Sequence, residues 1–491
     1  MGMVQKQSIK GSVIIYFGIL LGFINTGLIF PKVLTTEQIG LLNILISYST
    51  ILGLFGNLGF TNTIIKFFPY FKEKDEYHNG FLKIVTLVSF IGFILSLLLF
   101  FSIKKILINS GTDKSALFFE YIYLLVPLIL FTIYFNAYDA YYRALFNSVH
   151  GIFFKEFLTR VVVLISILLF FFEIIDFKIF LYFYVFAYSF PAIGITISII
   201  KGGQFKFGKK KISLKTNLRK SMISVSLFSI ISGFSGVVLI NLDRIMLERY
   251  CGLSDVGIYS IAFFFGTLVG ISARPVSRIS SALIADYWKQ KDMDKIKEIY
   301  KSTAINQFII GVLILVGIWA NIHNVFRILP GEYFVAKYVI LIIGIAFLID
   351  MLAGSSVNIL AFSSYYRYHT YIMLIFIVVA ILTNLILIPK MGIEGAAIAT
   401  LFSKIFYNVF RGAFLYYKYK LNPYNIGFII TAIIGGFTYF VVLLIPVIRN
   451  LYLDILIRSS IIITIFISLI YLFRVSTEIN NGIKNNLLKF K

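Results

Sequence analysis

The sequence predicts an all-α polytopic membrane protein with about fourteen transmembrane helices. Of its 491 residues, 59% are hydrophobic and only 14% are charged, whereas a soluble domain carries about 25% charged residues. Runs of roughly 20 mostly apolar residues, the length that crosses a bilayer, follow one another along the whole chain. The predicted spans are 12–30, 39–64, 81–101, 117–138, 157–175, 179–200, 221–242, 254–273, 303–320, 338–361, 368–388, 393–416, 427–447 and 454–473.

The distribution of basic residues predicts the orientation of these spans. The chain carries a net charge of +23, with 45 Lys and Arg residues against 22 Asp and Glu residues. If the N-terminus is cytoplasmic, most of the basic residues fall in cytoplasmic segments, including the loop 201–220, as the positive-inside rule requires. We therefore expect both termini in the cytoplasm. The excess charge is expected at the membrane surface, where it attracts anionic lipid headgroups, and does not indicate nucleic acid as a partner.

The sequence lacks the patterns of the common catalytic and metal sites. The stretch "GGQFKFGKK" contains most of a P-loop, but Lys210 stands where that motif needs Ser or Thr to reach magnesium. The external loops are too short for an extramembrane catalytic domain. The four histidines lack metal-ligand spacing; they are His78, His150, His323 and His369. We expect no catalytic residues, no metal and no cofactor.

Two similar hinges indicate an internal repeat. The hinge "LTTEQIGLLN" (Leu34–Asn43) aligns with Leu253–Ser260 at an offset of 217 residues, so that Gly40 matches Gly257. Six spans separate the hinges, which predicts a parallel duplication, a common plan in transporters. The predicted units are 1–212 with helices 1–6, 213–425 with helices 7–12, and 426–491 with a C-terminal helix pair and a cytoplasmic tail.

Two pairs of glycines are spaced for close packing between helices. Gly18-x-x-x-Gly22 lies in the first predicted span and Gly266-x-x-x-Gly270 in the eighth. Small residues at this spacing let the backbones of neighbouring helices approach each other. We interpret both pairs as packing sites, with a role at a moving interface as the alternative.

Several stretches of the chain resemble the polysaccharide flippases, the Wzx-type members of the MOP exporter superfamily. They are "NLDRIML", "GLSDVGIYSIA", "AYYRALFNSVHGIFFKEFLTRV" and, most specifically, "NLILIPKMGIEGAAIATLFSK". The resemblance implies a MATE-like bundle of two six-helix lobes with an additional C-terminal helix pair. It also implies transfer of undecaprenyl-pyrophosphate-linked oligosaccharide across the cytoplasmic membrane, with membrane lipids and other polysaccharide assembly proteins as partners. The alternatives are a lipid II flippase, a drug antiporter, and a polytopic polysaccharide polymerase or ligase.

A pyrophosphate substrate needs fixed cations, and most charged residues within or near the spans are basic. Arg274 and Arg278 lie one helical turn apart, roughly 30 Å inward from the outer hinge, and are predicted to receive pyrophosphate at the cytoplasmic mouth. The alternative is that they anchor the helix under the positive-inside rule. Arg143 and Arg160 bracket a cytoplasmic loop, and we favour anchoring for them, with contact to the substrate as the alternative.

A cluster of charged residues, Asp243, Arg244 and Glu248, lies at the end of the seventh predicted span. Asp243 lies about 34 Å along the helix from Lys220, which predicts a position at the outer rim. Arg244 and Glu248 have the spacing of an ion pair. The cluster is predicted to form the outer edge of the cavity, with Arg244 contacting pyrophosphate on its way out, or else to be a structural pair that fixes the hinge.

Lys404 is the basic residue predicted to lie closest to the middle of the membrane, about 16 Å along span 12. A charge at this depth generally faces a cavity or a partner. Lys404, Asn408 and Arg411 recur at helical spacing, and Asp350 in span 10 lies at a compatible depth of about 20 Å. Two hypotheses follow: a Lys404–Asp350 bridge that holds the helices together, or a substrate site in which Lys404 contacts pyrophosphate and Asp350 holds it when the site is empty. A Lys404 side chain that snorkels to the membrane surface, or a misplaced span, is the remaining alternative.

Overall fold

A computed structural model of the chain describes residues 3–71, 80–109, 115–145, 147, 149–207, 216–481 and 484. Side chains are described for all of these except 3–9, 12, 106–109, 216, 231–240, 274, 278 and 282. Every regular element within the described ranges is a helix. The predicted all-α fold is confirmed.

The chain forms two compact units, Met1–Gly257 and Ile258–Lys491. Two π-helical segments, Phe23–Ile29 and Phe153–Leu158, interrupt the first unit's helices. Those helices are α1 (Met3–Gly22), α2 (Phe30–Val33), α3 (Thr36–Gly56), α4 (Phe60–Phe67), α5 (Phe81–Asn109), α6 (Ala116–Tyr121), α7 (Leu125–Ala144), α8 (Val149–Ile152), α9 (Thr159–Phe171), α10 (Phe177–Lys201) and α11 (Thr216–Cys251).

Aromatic packing forms a core of the first unit. Helix α7 packs against α3, α5 and α10. Tyr141 on α7 makes an edge-to-face contact with Phe68, with ring centres 5.6 Å apart, and Phe81 lies against both rings. All three side chains are buried. Because aromatic pairs contribute beyond the area that they bury, this group ties α5 and α7 together.

The chain passes into the second unit within α12 (Leu253–Thr267). In that unit α14 packs against both α16 and α19, and the C-terminal helices α19 and α20 pack against each other. The helices are α13 (Ala273–Gln290), α14 (Met293–Ala320), α15 (Ile322–Ile328), α16 (Lys337–Leu352), α17 (Ser356–Phe362), α18 (Tyr366–Tyr419), α19 (Ile426–Leu443) and α20 (Leu451–Leu472).

Helix α18 consists of two helices that fold back on each other at Gly392. This glycine has φ 55° and ψ −129°, which are not helical values and which suit glycine because it lacks a Cβ. Gly395 packs directly on the carbonyl of Leu387, and the Thr383 and Ser403 hydroxyls lie 3.4 Å apart across the hairpin. The turn therefore separates the predicted spans 368–388 and 393–416.

Among the described residues, eleven helices are long and apolar enough to cross a membrane. Helix α18 counts once among them although it holds two predicted spans. The predicted span 157–175 overlaps the helical stretch 149–171, and the predicted span 221–242 lies within α11. The protein is thus a polytopic membrane protein, and its architecture is consistent with fourteen spans without fixing that number.

The division into compact units reflects contacts, whereas the predicted division at residues 212 and 425 reflects a repeat in sequence. Contacts group α11 with the helices before it, since α11 packs against α3 and α4. A repeat boundary is a different property of the chain. The units 1–212, 213–425 and 426–491 therefore stay a prediction.

Candidate functional sites in the two units

A polar cluster joins α16 to the second half of α18. Lys404 Nζ forms an ion pair with Asp350 Oδ2, and Asn408 Nδ2 donates to Asp350 Oδ1 at 2.8 Å. Arg411 Nη2 donates in turn to Asn408 Oδ1. Residues three and four apart share a face of a helix, so that α18 presents Lys404, Asn408 and Arg411 together. We call these four residues the Lys404 cluster.

The cations of the Lys404 cluster lie over aromatic rings. Lys404 Nζ is 3.6 Å from the centre of the Phe347 ring, and the Arg411 guanidinium is 4.3 Å from that of Tyr407. The Lys404 side chain is 15% exposed and that of Asp350 is 37% exposed, while Arg411 is only 2% exposed. The cluster is therefore open at Asp350 and closed around Arg411.

Arg411 retains unused hydrogen-bond donors. Its Nε and Nη1 atoms are buried, and neither makes a well-formed hydrogen bond among the described residues. The Tyr407 phenol is the polar group next to the guanidinium. A guanidinium carries five N–H donors in a planar fork, and buried polar groups in native proteins are nearly always bonded. Arg411 is thus a buried cation with donors available to an anionic ligand.

The neighbourhood of Arg411 includes a histidine that the sequence had not indicated. His369 lies on the first half of α18, with its ring centre 6.5 Å from that of Tyr407, and Arg411 is its charged neighbour. The hairpin at Gly392 brings these residues together. The "IPKMG" turn in the sequence could have indicated this contact. Residues at similar distances along the chain before and after a helical hairpin lie side by side.

The charged residues at the end of α11 face different neighbours. Asp243 and Glu248 are each 2% exposed. Arg244 is a charged neighbour of the Tyr184 phenol on α10, whereas Glu248 lies near Arg249. The Ser115 hydroxyl is a polar neighbour of the Glu248 carboxyl group, although Glu248 Oε2 makes no well-formed hydrogen bond within the described part of the chain. The roles predicted for these residues at the outer rim stay predictions.

Arg274 and Arg278 both lie in the first half of α13 (Ala273–Gln290). Their side chains are outside the described part of the chain. The prediction that they meet pyrophosphate at the cytoplasmic mouth therefore stays a prediction.

A cavity of about 510 Å³ opens within the first unit, and sequence reasoning missed it. Its walls come from α3, α4, α7, α9, α10 and α11, together with the π-helical segment before α9. Three charged side chains line it, those of Lys155, Glu156 and Arg160. We call it the first-unit cavity.

A glycine pair makes room for Arg160 beside the first-unit cavity. Arg160 Nη1 pairs with Glu156 Oε2 at 2.8 Å. A Cβ on Gly18 would come within 2.7 Å of Arg160 Nη1, and one on Gly22 within 3.0 Å of Arg160 Nε. The close packing predicted for Gly18-x-x-x-Gly22 is therefore confirmed, and the guanidinium fills the space that the glycines leave.

The anchoring role predicted for Arg160 rests on the predicted start of the fifth span. That prediction began the span at residue 157, which puts Arg160 at the helix end. The structure begins the helical stretch at Val149 and carries it through the π-helical segment Phe153–Leu158 into α9. Arg160 therefore lies well inside the helix. π-Helical turns are rare and frequently occur at functional sites.

The fold has solved counterparts among membrane transporters. A structure described as the lipid II flippase MurJ in an inward closed conformation matches 95% of this chain and 98% of its own, with a TM-score of 0.75 and 14% identity. A multidrug resistance MATE family transporter of the MOP superfamily, inward-facing, matches 83% of this chain and 97% of its own, with a TM-score of 0.61 and 11% identity. An outward-facing MATE structure matches 84% of this chain and 94% of its own, with a TM-score of 0.56 and 11% identity.

These likenesses define the class: a polytopic α-helical membrane protein with the fold of MurJ and the MATE transporters. The model of the family described as polysaccharide biosynthesis protein matches residues 6–284, more than half of the chain. The chain belongs to this family. A search of curated protein sequences finds no significant match. The fold and the family that the resemblance implied are confirmed.

Proposed function

We propose that the protein is a flippase that translocates an undecaprenyl-pyrophosphate-linked oligosaccharide across the cytoplasmic membrane by alternating access. Membership of the polysaccharide biosynthesis protein family supports a role in surface polysaccharide assembly. The fold, shared with a lipid II flippase and with MATE transporters, supports transport rather than enzymatic catalysis. In this proposal both termini are cytoplasmic, and the partners are membrane lipids and other assembly proteins.

The observation that carries the proposal is the buried guanidinium of Arg411, which has open donors beside the Lys404–Asp350 pair. A pyrophosphate could take the free Nε and Nη1 donors of Arg411 and draw Lys404 away from Asp350. Arginine suits this role because its fork matches phosphate oxygens. The exposed side of Asp350 supports access from that direction.

We assign the remaining predicted site residues to other steps of the same transport cycle. Arg274 and Arg278 would receive pyrophosphate at the cytoplasmic mouth, and Arg244 would contact it on the way out. Asp243 and Glu248 would act with Asp350 as gating carboxylates that hold cations between substrates. Asn408 would orient Asp350 and Arg411, to both of which it is hydrogen-bonded.

Flipping of lipid II is the second candidate function. The MurJ structure matches nearly the whole of this chain with a TM-score of 0.75, against 0.56 and 0.61 for the two MATE structures. A drug antiporter is less well supported, because the net charge of +23 and the cations of the Lys404 cluster favour an anionic substrate.

Mass spectrometry of the lipid that co-purifies with the protein tests the proposal. A polyprenyl-pyrophosphate carrying an oligosaccharide without a peptide is the expected result, and a headgroup carrying a peptide would indicate lipid II instead. Assembly of longer glycan by the purified protein would contradict transport and indicate a polymerase.

A further inference from the structure

The first-unit cavity has a lining that the proposed role of the Lys404 cluster does not use. All of its lining residues belong to the unit Met1–Gly257. Its volume of about 510 Å³ lies within the range of roughly 300–1,000 Å³ that is typical of small-molecule sites. The chemistry of its walls therefore indicates what kind of molecule fits.

The polar part of the lining consists of amides and hydroxyls, and several of these groups are not hydrogen-bonded. Asn57 Nδ2 donates to the Gly53 carbonyl at 2.8 Å, which occupies one of its donors. By contrast, the side chains of Asn62, Thr132 and Asn136 make no hydrogen bond among the described residues. Each amide offers both donors and an acceptor, which matches the adjacent hydroxyl groups of a sugar ring.

Two aromatic side chains complete this wall. Phe135 and Tyr188 both line the cavity and add apolar surface to a lining that also holds the amides. A sugar ring combines hydroxyl groups at its edge with C–H groups on its faces, so that it needs both kinds of surface. An acyl chain would leave the amides unbonded, which costs free energy when they are desolvated.

The charged part of the lining carries one net positive charge. Arg160 is paired with Glu156 at 2.8 Å, whereas Lys155 makes no ion pair within 4 Å among the described residues. The nearby carboxylate of Asp139 acts on Lys155, but it is paired with Arg143 at 2.9 Å. The ammonium of Lys155 is 5.5 Å from the centre of the Phe135 ring, so it lies next to the wall that suits a sugar. A single ammonium with three donors can bind one phosphate group at that position.

We infer that the first-unit cavity binds a glycosyl phosphate, with the phosphate on Lys155 and the sugar against Asn62, Thr132 and Asn136. This inference rests on the proposed function, because a polyprenyl-pyrophosphate glycan contains such a unit where its first sugar joins the phosphate. It assigns the recognition of that sugar to the first unit. Binding involves no covalent step.

Binding of soluble fragments to the full-length protein in detergent tests the inference directly. The probes are a hexose 1-phosphate, an N-acetylhexosamine 1-phosphate, the corresponding free sugars, and inorganic phosphate, each measured by isothermal titration calorimetry. We expect at least one glycosyl phosphate to bind about tenfold or more tightly than both its free sugar and inorganic phosphate. Equal affinity for inorganic phosphate and both glycosyl phosphates would overturn the inference, and so would a lack of binding by every probe.

Three variants locate the site. Lys155→Gln should reduce affinity for the glycosyl phosphate to that of its free sugar, while Asn136→Leu and Thr132→Val should weaken binding of both. Lys178→Gln is the matched control, because Lys178 is an exposed lysine of the same unit that does not line the cavity. Unchanged binding in all three cavity variants, each with a wild-type thermal unfolding midpoint, would place the ligand elsewhere and overturn the inference.

The failure of this inference can be told apart from failure of the proposed function. If a polyprenyl-pyrophosphate saccharide co-purifies but the cavity variants bind glycosyl phosphates normally, only the cavity assignment is wrong. If the co-purifying lipid is of another class, the proposed function is wrong. The fragment measurements then still decide whether the cavity binds a glycosyl phosphate.

Discussion

Gly40 and Gly257 occupy equivalent places in two helix starts that pack directly on each other. A Cβ on Gly40 would collide with the carbonyl group of Leu253, and a Cβ on Gly257 would collide with the carbonyl group of Thr36. In the predicted repeat, with its offset of 217 residues, Thr36 is equivalent to Leu253 and Gly40 to Gly257. Each glycine contacts the residue that is equivalent to the other glycine's partner. The two contacts are therefore reciprocal.

Adding a methyl group at either glycine should therefore destabilise the protein. We expect Gly40→Ala and Gly257→Ala each to lower the free energy of unfolding by about 1–3 kcal/mol, the usual cost of overpacking, because the obstacle is a backbone carbonyl rather than a movable side chain. Denaturation of the detergent-solubilised protein by SDS measures this. Gly317→Ala is the matched control: its methyl group would meet nothing within 4 Å. It should be neutral or stabilising by up to about 1 kcal/mol. Equal midpoints for all three variants would contradict the close contact.

The buried carboxylate of Asp454 forms a hydrogen-bond network with the C-terminal part of the second unit. Asp454 is fully buried and accepts hydrogen bonds from Arg458 Nε at 2.9 Å and from the Ile448 amide at 2.9 Å. Its Oδ2 also lies 2.8 Å from His323 Nε2. Arg458 donates further to the carbonyls of Val442 and Ile445.

Removing one partner from this network leaves a buried charge uncompensated, which costs about 3–5 kcal/mol. We expect Arg458→Met to lower the free energy of unfolding by that amount in the same SDS titration. Arg449→Met provides the control, because the Arg449 side chain is exposed and the hydrogen bond that Arg449 accepts from Arg327 Nη2, at 2.6 Å, uses its backbone carbonyl. If the two variants unfold alike, the network contributes little to stability.

Helical spacing and depth predicted the contacts of the Lys404 cluster but not those of the other sites. Lys404 and Asp350 could be paired from sequence because both are rare charges at similar depths in apolar helices. Arg160 could not be placed, because its cavity depends on a helix that begins before the hydrophobic stretch and on glycines of another helix. The neighbours of Arg244 and Glu248 could not be predicted either. Helical spacing shows that two residues share a face, but it does not show which helix packs on that face.

Arg274 and Arg278 are predicted to act together at the cytoplasmic entrance. Replacing both by Gln should weaken binding of a polyprenyl-pyrophosphate by tenfold or more, because two phosphate contacts are lost, while membrane insertion stays intact. Binding to the purified protein and accessibility labelling of loop cysteines measure the two effects separately. Altered topology in the double variant would show that the arginines are anchors and would remove them from the site.

Transport is predicted to need no ATP. One elementary charge moving through 100 mV is worth about 2.3 kcal/mol, and a pyrophosphate with about two negative charges gains roughly twice that on leaving a negative interior. We expect flipping by the protein in liposomes to speed up when an inside-negative potential is imposed. Absolute dependence on ATP inside the liposomes would contradict this prediction.

The two hypotheses for Lys404 can now be tested on a defined contact. The ion pair with Asp350 exists, but both hypotheses require it, so its presence does not choose between them. Lys404→Met keeps the length and the apolar body of the side chain while it removes the charge. If Lys404 contacts pyrophosphate, this variant should express and unfold like the wild type, since Asp350 is 37% exposed and keeps its hydrogen bond from Asn408, and flipping should be lost.

The double variant Lys404→Met/Asp350→Leu completes the test. If the pair is only structural, Lys404→Met alone should be unstable, and removing Asp350 as well should restore both stability and flipping, because a buried ion pair can be replaced by apolar residues at little cost. If Lys404 binds substrate, the double variant should fold well and still fail to flip. Thermal unfolding and a liposome flipping assay on the same preparations measure both properties. Restored flipping would show that Lys404 is structural and leave Arg411 as the cation of the cluster to test next.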